Sequence, residues 1–376
     1  MLTVNELFSG IGTQSLALKY LGVPFKVEGI SEIDKFAIQA YTALHGETRN
    51  YGDICKIEKL DYADLWTYSF PCQDISSAGK GKGLLTVNEK GEFIATRSGL
   101  LFEVERLLSK SCGFDIINGE LVKNNYYEVN PPKYLLLENV SELLKFKKHN
   151  VHFYKWVERL EELGYNSYYS ILNSKHFGIP QNRERVFCLS IRKDVFTGDL
   201  GLPNVQSFVE KPLMGDFKDF VEDDVLNYVG GLTIDNTINP YLMPAFNRDI
   251  LDISKSDKEV FSCECKTGFL DHRVGIKVAP TVRHQKPHTV IYINNQIHRL
   301  TAREIWRFMG IKDTDFDKVK ENSKLTDSRL CALAGNAIVV PVLMSIFNQI
   351  WLIEQGKQPY GYMETPFLTV NVKDKA

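Results

Sequence analysis

The chain opens on what reads as a short buried strand, Leu2-Thr3-Val4-Asn5-Glu6-Leu7-Phe8, which breaks at Ser9-Gly10-Ile11-Gly12 and passes into residues 13–21, where Leu16, Ala17, Tyr20 and Leu21 recur at helical spacing. Strand, tight glycine turn, helix: that order restricts the fold more than any other feature of the sequence. It then repeats. A strand is expected around 25–30, a helix around 35–44, and further strands at 65–70, 134–137 and 186–191. Strand and helix alternate to about residue 192, which predicts an α/β fold with a doubly wound, Rossmann-like parallel sheet. After Asp194 the pattern changes to short β-type runs broken by Gly, Pro, Asn and Asp, so residues 195–300 read as a smaller, irregular β-rich domain. Helical periodicity returns at 301–309 and 341–354, and the last segment is expected to pack back on the first domain. Residues 84–96 and 111–133 are polar and read as surface loops.

At 376 residues the chain is long enough for two domains, or for one with a large insertion. The seven cysteines are odd in number and far apart, without zinc spacing, so reduced thiols are expected and no metal. No apolar run is long enough to cross a bilayer, and the start Leu2-Thr3-Val4 lacks a basic region and a cleavage site, which predicts a cytoplasmic protein. The formal net charge of −2 is not the strongly basic balance common among nucleic-acid-binding domains, yet phosphate contact needs only a local basic lining.

Six segments carry candidate chemistry. Glycines 10 and 12, between a strand and a helix, let a cofactor approach the backbone. Glu32, at the next strand's end, suits a ribose hydroxyl, and Asp53, in Gly52-Asp53-Ile54, suits an adenine amino group. Ser15 stands where a dinucleotide fingerprint has a third Gly, so the trio points to a nucleoside cofactor without a diphosphate; a plain strand–helix connection is the other reading. Cys72, in Ser69-Phe70-Pro71-Cys72-Gln73, sits between a strand and a Gly-rich loop, where a nucleophile is useful; alone, it also reads as a small buried residue in a turn. Glu138, after Leu135-Leu136-Leu137, falls at a strand's carboxyl end, where open α/β sheets place their sites; a helix cap or a solvated acid is the alternative. Arg183 and Arg185 alternate along a strand and are expected to point the same way, as a bidentate anion or carbonyl site or as a solvated edge.

Together these segments resemble the DNA (cytosine-5) methyltransferases of the bacterial and phage restriction-modification type, over almost the whole chain and in the family's motif order. Phe8-Ser9-Gly10-Ile11-Gly12 is similar to the first cofactor motif, and Phe70-Pro71-Cys72-Gln73 with Ser76, Gly79 and Gly83 to the catalytic loop. Glu138-Asn139-Val140 and Gln181-x-Arg183-x-Arg185 resemble the next two. Arg299-Leu300-Thr301-x-Arg303-Glu304 with Gly310 resembles the penultimate motif, and Gly335-Asn336-Ala337-Ile338-Val339-Val340 the final one. Departures are Thr13 for Gly, Ile33 for the aromatic after Glu32, Ile75 for an aromatic, and Ala337 for Ser. None removes a reacting group.

The resemblance implies transfer of a methyl group from S-adenosyl-L-methionine, leaving S-adenosyl-L-homocysteine, to C5 of a cytosine swung out of duplex DNA. Cys72 attacks C6, Glu138 and Asn139 hold N3, Arg185 holds O2, and Arg183 orders Cys72. Cofactor contacts implied are Phe8, Ser9, Gly10, Ile11, Gly12, Thr13, Glu32, Ile33, Asp53, Ile54, Pro71, Leu100, Asn336, Ala337 and Ile338. DNA contacts implied are Gln73, Ser76, Lys80, Lys82 and Arg97 in the loop, with Arg273, Thr281 and Arg283 in a target-recognition domain over 195–298. The catalytic domain then takes 1–194 and 330–376, with 299–329 as a hinge. The expected partner is double-stranded DNA, with a monomeric enzyme and a cognate restriction endonuclease that it does not bind. A tRNA methyltransferase on the same scaffold would carry Cys-Phe-Thr, which is absent, and would lack a large recognition insertion. A non-catalytic DNA-binding relative is opposed by the intact Cys72, Glu138 and Arg185, and a nicotinamide oxidoreductase by Ser15 and the Pro-Cys-Gln loop.

Overall fold

The first strand, β1 (Leu2–Leu7), is buried almost throughout, its polar Asn5 and Glu6 included. After it come α1 (Thr13–Leu21), β2 (Phe25–Ser31), α2 (Lys35–His45) and β3 (Leu65–Tyr68). Two short strands, β4 (Leu85–Val87) and β5 (Phe93–Ala95), precede α3 (Leu101–Ser111), the hairpin β6 (Phe114–Ile117) and β7 (Glu120–Lys123), and β8 (Tyr134–Val140). Then follow α4 (Glu142–Lys145), α5 (Lys147–Glu162), β9 (Tyr165–Asn173), β10 (Gln181–Asn182) and β11 (Glu184–Arg192). Beyond these lie β12 (Val260–Glu264), β13 (Arg273–Ile276), β14 (Ala279–Pro280), β15 (Thr289–Ile293) and β16 (Gln296–Arg299). The chain then runs through α6 (Ala302–Arg307), α7 (Asp313–Ser323), α8 (Asp327–Asn336) and α9 (Val340–Glu354). This computed structural model describes residues 1–71, 85–87, 93–95, 97–198, 200, 217–221, 260–264, 273–276, 278–282, 289–293, 296–359 and 372–374. Two compact units are present: residues 1–172, 184–209 and 343–366 form the first, and residues 173–183, 210–342 and 367–376 the second.

The first unit is built on a six-stranded sheet of order β2-β1-β3-β8-β11-β9. β1 pairs in parallel with β2 and β3, and β3 with β8. β11 departs from the all-parallel expectation and lies antiparallel to β8. The link from β9 to β11, residues 174–183, holds only a 3-10 turn and β10, too short for the helical crossover that a parallel return needs. Trp66, Tyr68, Leu135, Leu137 and Val186 from the sheet pack with Val104, Leu108, Phe153 and Trp156 from α3 and α5 in one apolar core. Inside it, the Trp156 indole donates to the Tyr68 hydroxyl at 3.0 Å, satisfying a buried polar group. The last turn of α9 joins this unit: Glu354 accepts from Lys133 Nζ at 3.1 Å and from the Tyr134 hydroxyl at 2.9 Å. Residues 111–133, expected as a loop, contain the β6–β7 hairpin, turning at Asn118-Gly119 with φ of 52° and 84°. Asn-Gly is the pair that a two-residue turn with left-handed residues favours.

The second unit carries the β-rich part: an antiparallel sheet of order β13-β12-β15-β16, and β10 paired with β14. In α6, Thr301 and Glu304 form a capping box: Thr301 Oγ1 accepts from the Glu304 N–H at 3.1 Å, and Glu304 Oε2 from the Thr301 N–H at 2.8 Å. Trp306 is fully buried against Phe316 and donates to the Leu330 carbonyl. Among the described residues no single helix is long and apolar enough to cross a membrane.

Candidate active site

Three chain ends meet at the carboxyl edge of the first unit's sheet. Phe8, Gly10 and Gly12 all take left-handed backbone, with φ of 58°, 57° and 75°. Such a conformation strains Phe8 and is free to glycine. The Gly12 N–H donates to the Ser9 carbonyl, closing the turn, and α1 starts at Thr13 with no side-chain cap. That helix end carries no side-chain cap and can face an anionic or polar ligand group, while the Ser15 N–H points to Glu6. Glu32 bridges two of the ends: Oε2 accepts from the Gly10 N–H at 2.9 Å, and Oε1 from the Ile33 and Asp34 N–H groups. Asn50 exchanges hydrogen bonds with the Glu32 backbone and accepts from Gly52, setting the third end, where Asp53 caps the turn Ile54–Lys56. Arg106, from α3, holds the Ile54 and Ile57 carbonyls. Ile33 is 74 % exposed beside the Glu32 carboxylate. Ser9, Ile11, Thr13 and Ile54 are buried and shape the turn from below, and Leu100 caps α3 on the same core that Phe8 touches.

A second cluster lies along β3, β8 and β11. Register places Arg185 opposite Val140 and Phe187 opposite Glu138, so the diagonal brings Arg185 to Glu138 on one face. Arg185 Nε stands 3.3 Å from Glu138 Oε1. The other carboxylate oxygen accepts from the Ser69 hydroxyl, which lies 3.0 Å from the Glu138 carbonyl. Asn139 Nδ2 donates to the Phe70 carbonyl at 3.0 Å, while its Oδ1 accepts from the Val140 N–H. Glu138 and Asn139 thereby hold Ser69-Phe70, the residues just before Pro71 and Cys72. Glu138 is 6 % exposed, and both its oxygens have partners.

Arg183 does not share a strand face with Arg185. It falls in the break between β10 and β11, in the second unit, and its buried guanidinium donates to the carbonyls of Val282 at 2.9 Å, Gly335 at 3.1 Å and Ala337 at 2.8 Å. The alternation that suggested a common face ends because Asn182 closes one strand and Glu184 opens the next. Gln181 reinforces the network, accepting from the Val282 N–H and donating to the Phe308 carbonyl, and Thr281 Oγ1 donates to the Asn182 carbonyl. Asn336 ends α8, with Ala337 and Ile338 just beyond. Cys72, Gln73, Ser76, Lys80, Lys82 and Arg283 lie outside the described residues, and Arg97 and Arg273 are described in backbone only.

Sequence reasoning missed Ser69, Asn50 and Glu6. Ser69 was visible as a hydroxyl inside the strand end before Pro71-Cys72. Glu6 was visible as an acid within a buried strand. Asn50 had no signal of its own, since its part is to join two chain segments.

A family model, C-5 cytosine-specific DNA methylase, matches residues 2–351. The chain is 32 % identical to the type II methyltransferase M2.ScrFI of Lactococcus lactis subsp. cremoris, over 93 % of this chain and 99 % of that protein. It is 32 % identical to the orphan methyltransferase M.SssI of Spiroplasma monobiae, over 77 % of this chain and 66 % of that one. The fold is similar to that of the S. pombe Dnmt2 methyltransferase, with a TM-score of 0.60 at 18 % identity over 94 % of this chain and 99 % of that one. The strand order, the motif order and the family match agree: the chain belongs to the C-5 cytosine-specific DNA methylases and is a DNA cytosine-5 methyltransferase of the bacterial and phage restriction-modification type.

Proposed function

We propose that the enzyme methylates C5 of a cytosine extruded from a specific duplex sequence, through a covalent bond between Cys72 and C6. The observation that carries this reading is the Glu138 cluster: a buried carboxylate between Ser69 and Arg185, with Asn139 on the backbone that leads to Cys72. S-adenosyl-L-methionine, when bound, supplies an electrophilic methyl group on its sulfonium. The residues at the sheet edge fit such a molecule: three left-handed turn positions, an uncapped α1, a carboxylate at Glu32, an exposed apolar side chain at Ile33 and Asp53 on the third chain end. Phe8 to Thr13, Glu32, Ile33, Asp53, Ile54, Pro71 and Leu100 are assigned to hold it; Asn336, Ala337 and Ile338 are assigned on motif alone.

The chain's own residues then act on the base. A free thiol is only a few per cent ionised at neutral pH, so Cys72 loses its proton as its sulfur bonds to C6. Electron density moves to C5 and toward N3 and O2. Glu138 answers it by sharing a proton at N3, and Arg185 by donating to O2, a fixed electrostatic complement to the developing charge. Asn139 positions the strand end. Once C5 is methylated, a water held in the site takes the C5 proton, the electron pair left behind re-forms the C5–C6 double bond and the sulfur is expelled as a thiolate. Extrusion is required because a duplex hides C6. Gln73, Ser76, Lys80, Lys82 and Arg97 are assigned to DNA near the base, and Arg273, Thr281 and Arg283 to target choice. The enzyme acts as a monomer in the cytoplasm and does not bind a cognate endonuclease.

The test is an oligonucleotide carrying 5-fluorocytosine at the target, with methyl donor present. An adduct that survives denaturation and maps to Cys72 is expected, and Cys72→Ala binds DNA but transfers no methyl. Transfer to tRNA alone, or an adduct on another side chain, overturns the reading.

A further inference from the structure

Glu6 is a titratable group that the mechanism leaves unused, and it lies directly under the glycine turn. It is 0 % exposed in the middle of β1, flanked in the sheet by Ile30 and Thr67, neither of which carries a charge. Ser15, in the first turn of α1, donates to Glu6 Oε1 at 2.8 Å. Glu6 Oε2 and the Tyr41 hydroxyl are both buried without a well-formed hydrogen bond, and each acts on the other's protonation. Ser15 from α1 and Tyr41 from α2 are the side chains that face Glu6; Ser15 and Thr48 face Tyr41 in turn.

Tyr41 connects this pair to the turn. A Cβ on Gly12 would lie 2.5 Å from Tyr41 Cε2 and 2.6 Å from His45 Nε2, so the turn rests on these two rings. The rings lie 4.5 Å apart between centroids, and His45 Nε2 is 3.1 Å from the Ile11 carbonyl. Glu6 thus touches α1 through one oxygen and faces, through the other, the residue on which Gly12 sits.

We propose that Glu6 is a positioning residue for cofactor binding, tying the first turn of α1 through Ser15 and the floor beneath Gly12 through Tyr41. The inference rests on reading the glycine turn as the cofactor site. A neutral Glu6 accepts from Ser15 and donates its own proton toward the Tyr41 oxygen. An ionised Glu6 has no proton to give and draws on the Ser15 N–H and the Ser15 and Tyr41 hydroxyls as donors, so the Tyr41 hydroxyl must turn toward it and the floor shifts. Burial pushes the carboxyl up to about 7, which makes the exchange between the two forms fall near neutral pH.

The experiment is calorimetric titration of S-adenosyl-L-homocysteine into the full chain between pH 6 and 9, for wild type, Glu6→Gln and Tyr41→Phe. The wild-type affinity is expected to weaken about tenfold across that range, a coupling of ordinary size. Glu6→Gln, which keeps an acceptor for Ser15 and a donor for Tyr41, holds the low-pH affinity throughout. Tyr41→Phe binds more weakly and loses most of the pH dependence. A wild-type slope that persists in Glu6→Gln assigns the titration to His45 or to the ligand amine and overturns the inference alone. Folded wild-type protein that binds no S-adenosyl-L-homocysteine at any pH overturns the cofactor reading beneath it.

Discussion

Arg183 and Arg185 are two residues apart and are expected to fail in different ways when replaced. Arg183 is 4 % exposed and gives its donors to three backbone carbonyls within the second unit. Arg183→Met removes all of them at once. Three buried carbonyls without a donor cost about 1 to 3 kcal/mol apiece. Relief from no longer burying a charge offsets part of that, leaving a loss of about 4 kcal/mol. With total stabilities of about 5 to 15 kcal/mol this is a large fraction, and it lowers a urea midpoint by about 1.5 M. Arg183→Lys keeps one donor contact and loses about half as much. Arg185 faces the reacting base in the proposed mechanism. Arg185→Gln leaves Ser69 on Glu138, costs about 1 kcal/mol of stability, and lowers turnover by a factor of about 100 to 1,000. Urea unfolding, with hydrogen exchange read over residues 302–336, separates the two. Arg183→Met unfolding within about 0.5 kcal/mol of wild type, or Arg185→Gln unfolding as early as Arg183→Met, refutes the division of labour.

Four further outcomes follow from the same contacts. Glu6 has its carboxyl raised from 4.5 to about 7 in the fold, so its favourable contribution is complete below pH 4.5 and is lost as pH rises through 7. At about 1.4 kcal/mol per unit this is about 3 kcal/mol, and the wild-type minus Glu6→Gln difference in unfolding free energy should change by that amount between pH 4.5 and 8; a constant difference rejects it. Gly12→Ala places a methyl against Tyr41 and His45 at a φ of +75° and is expected to cost about 3 kcal/mol and most of the affinity for S-adenosyl-L-homocysteine, measured by thermal unfolding and calorimetry. Ser69→Ala frees one Glu138 oxygen and should lower kcat while leaving the KM for S-adenosyl-L-methionine unchanged, read by steady-state methyl transfer. Thr301→Ala breaks the capping box and should lower stability by about 1 kcal/mol in thermal unfolding, with methyl transfer intact.

The sequence was most readable where each local signal acted alone. The glycine turn separates a strand from a helix of clear apolar spacing, and the observed α1 and α2 begin and end within a residue of the expected spans. Glu138 was found because three leucines before an acid mark the end of a buried strand. What stayed hidden depended on contacts between distant segments. Nothing local in Asn166-Ser167-Tyr168 marks β9 as part of the central sheet, because its polar residues become strand only by pairing with β11. The alternation of Arg183 and Arg185 misled for a related reason: a strand break between neighbours cannot be read from their spacing. The β6–β7 hairpin was missed although its signal is local: Asn118-Gly119 between two β-type runs marks a turn, and the polar composition of 111–133 led to a loop reading instead.

Glu354 clasps Lys133 and Tyr134 at the entrance of the central strand, across more than two hundred intervening residues. During synthesis, therefore, the sheet leaves the ribosome with that corner open, and it closes only once Glu354 has emerged. A nascent chain that stops before α9 lacks Glu354 at this corner, so the first unit's sheet is completed by a segment made long after its strands.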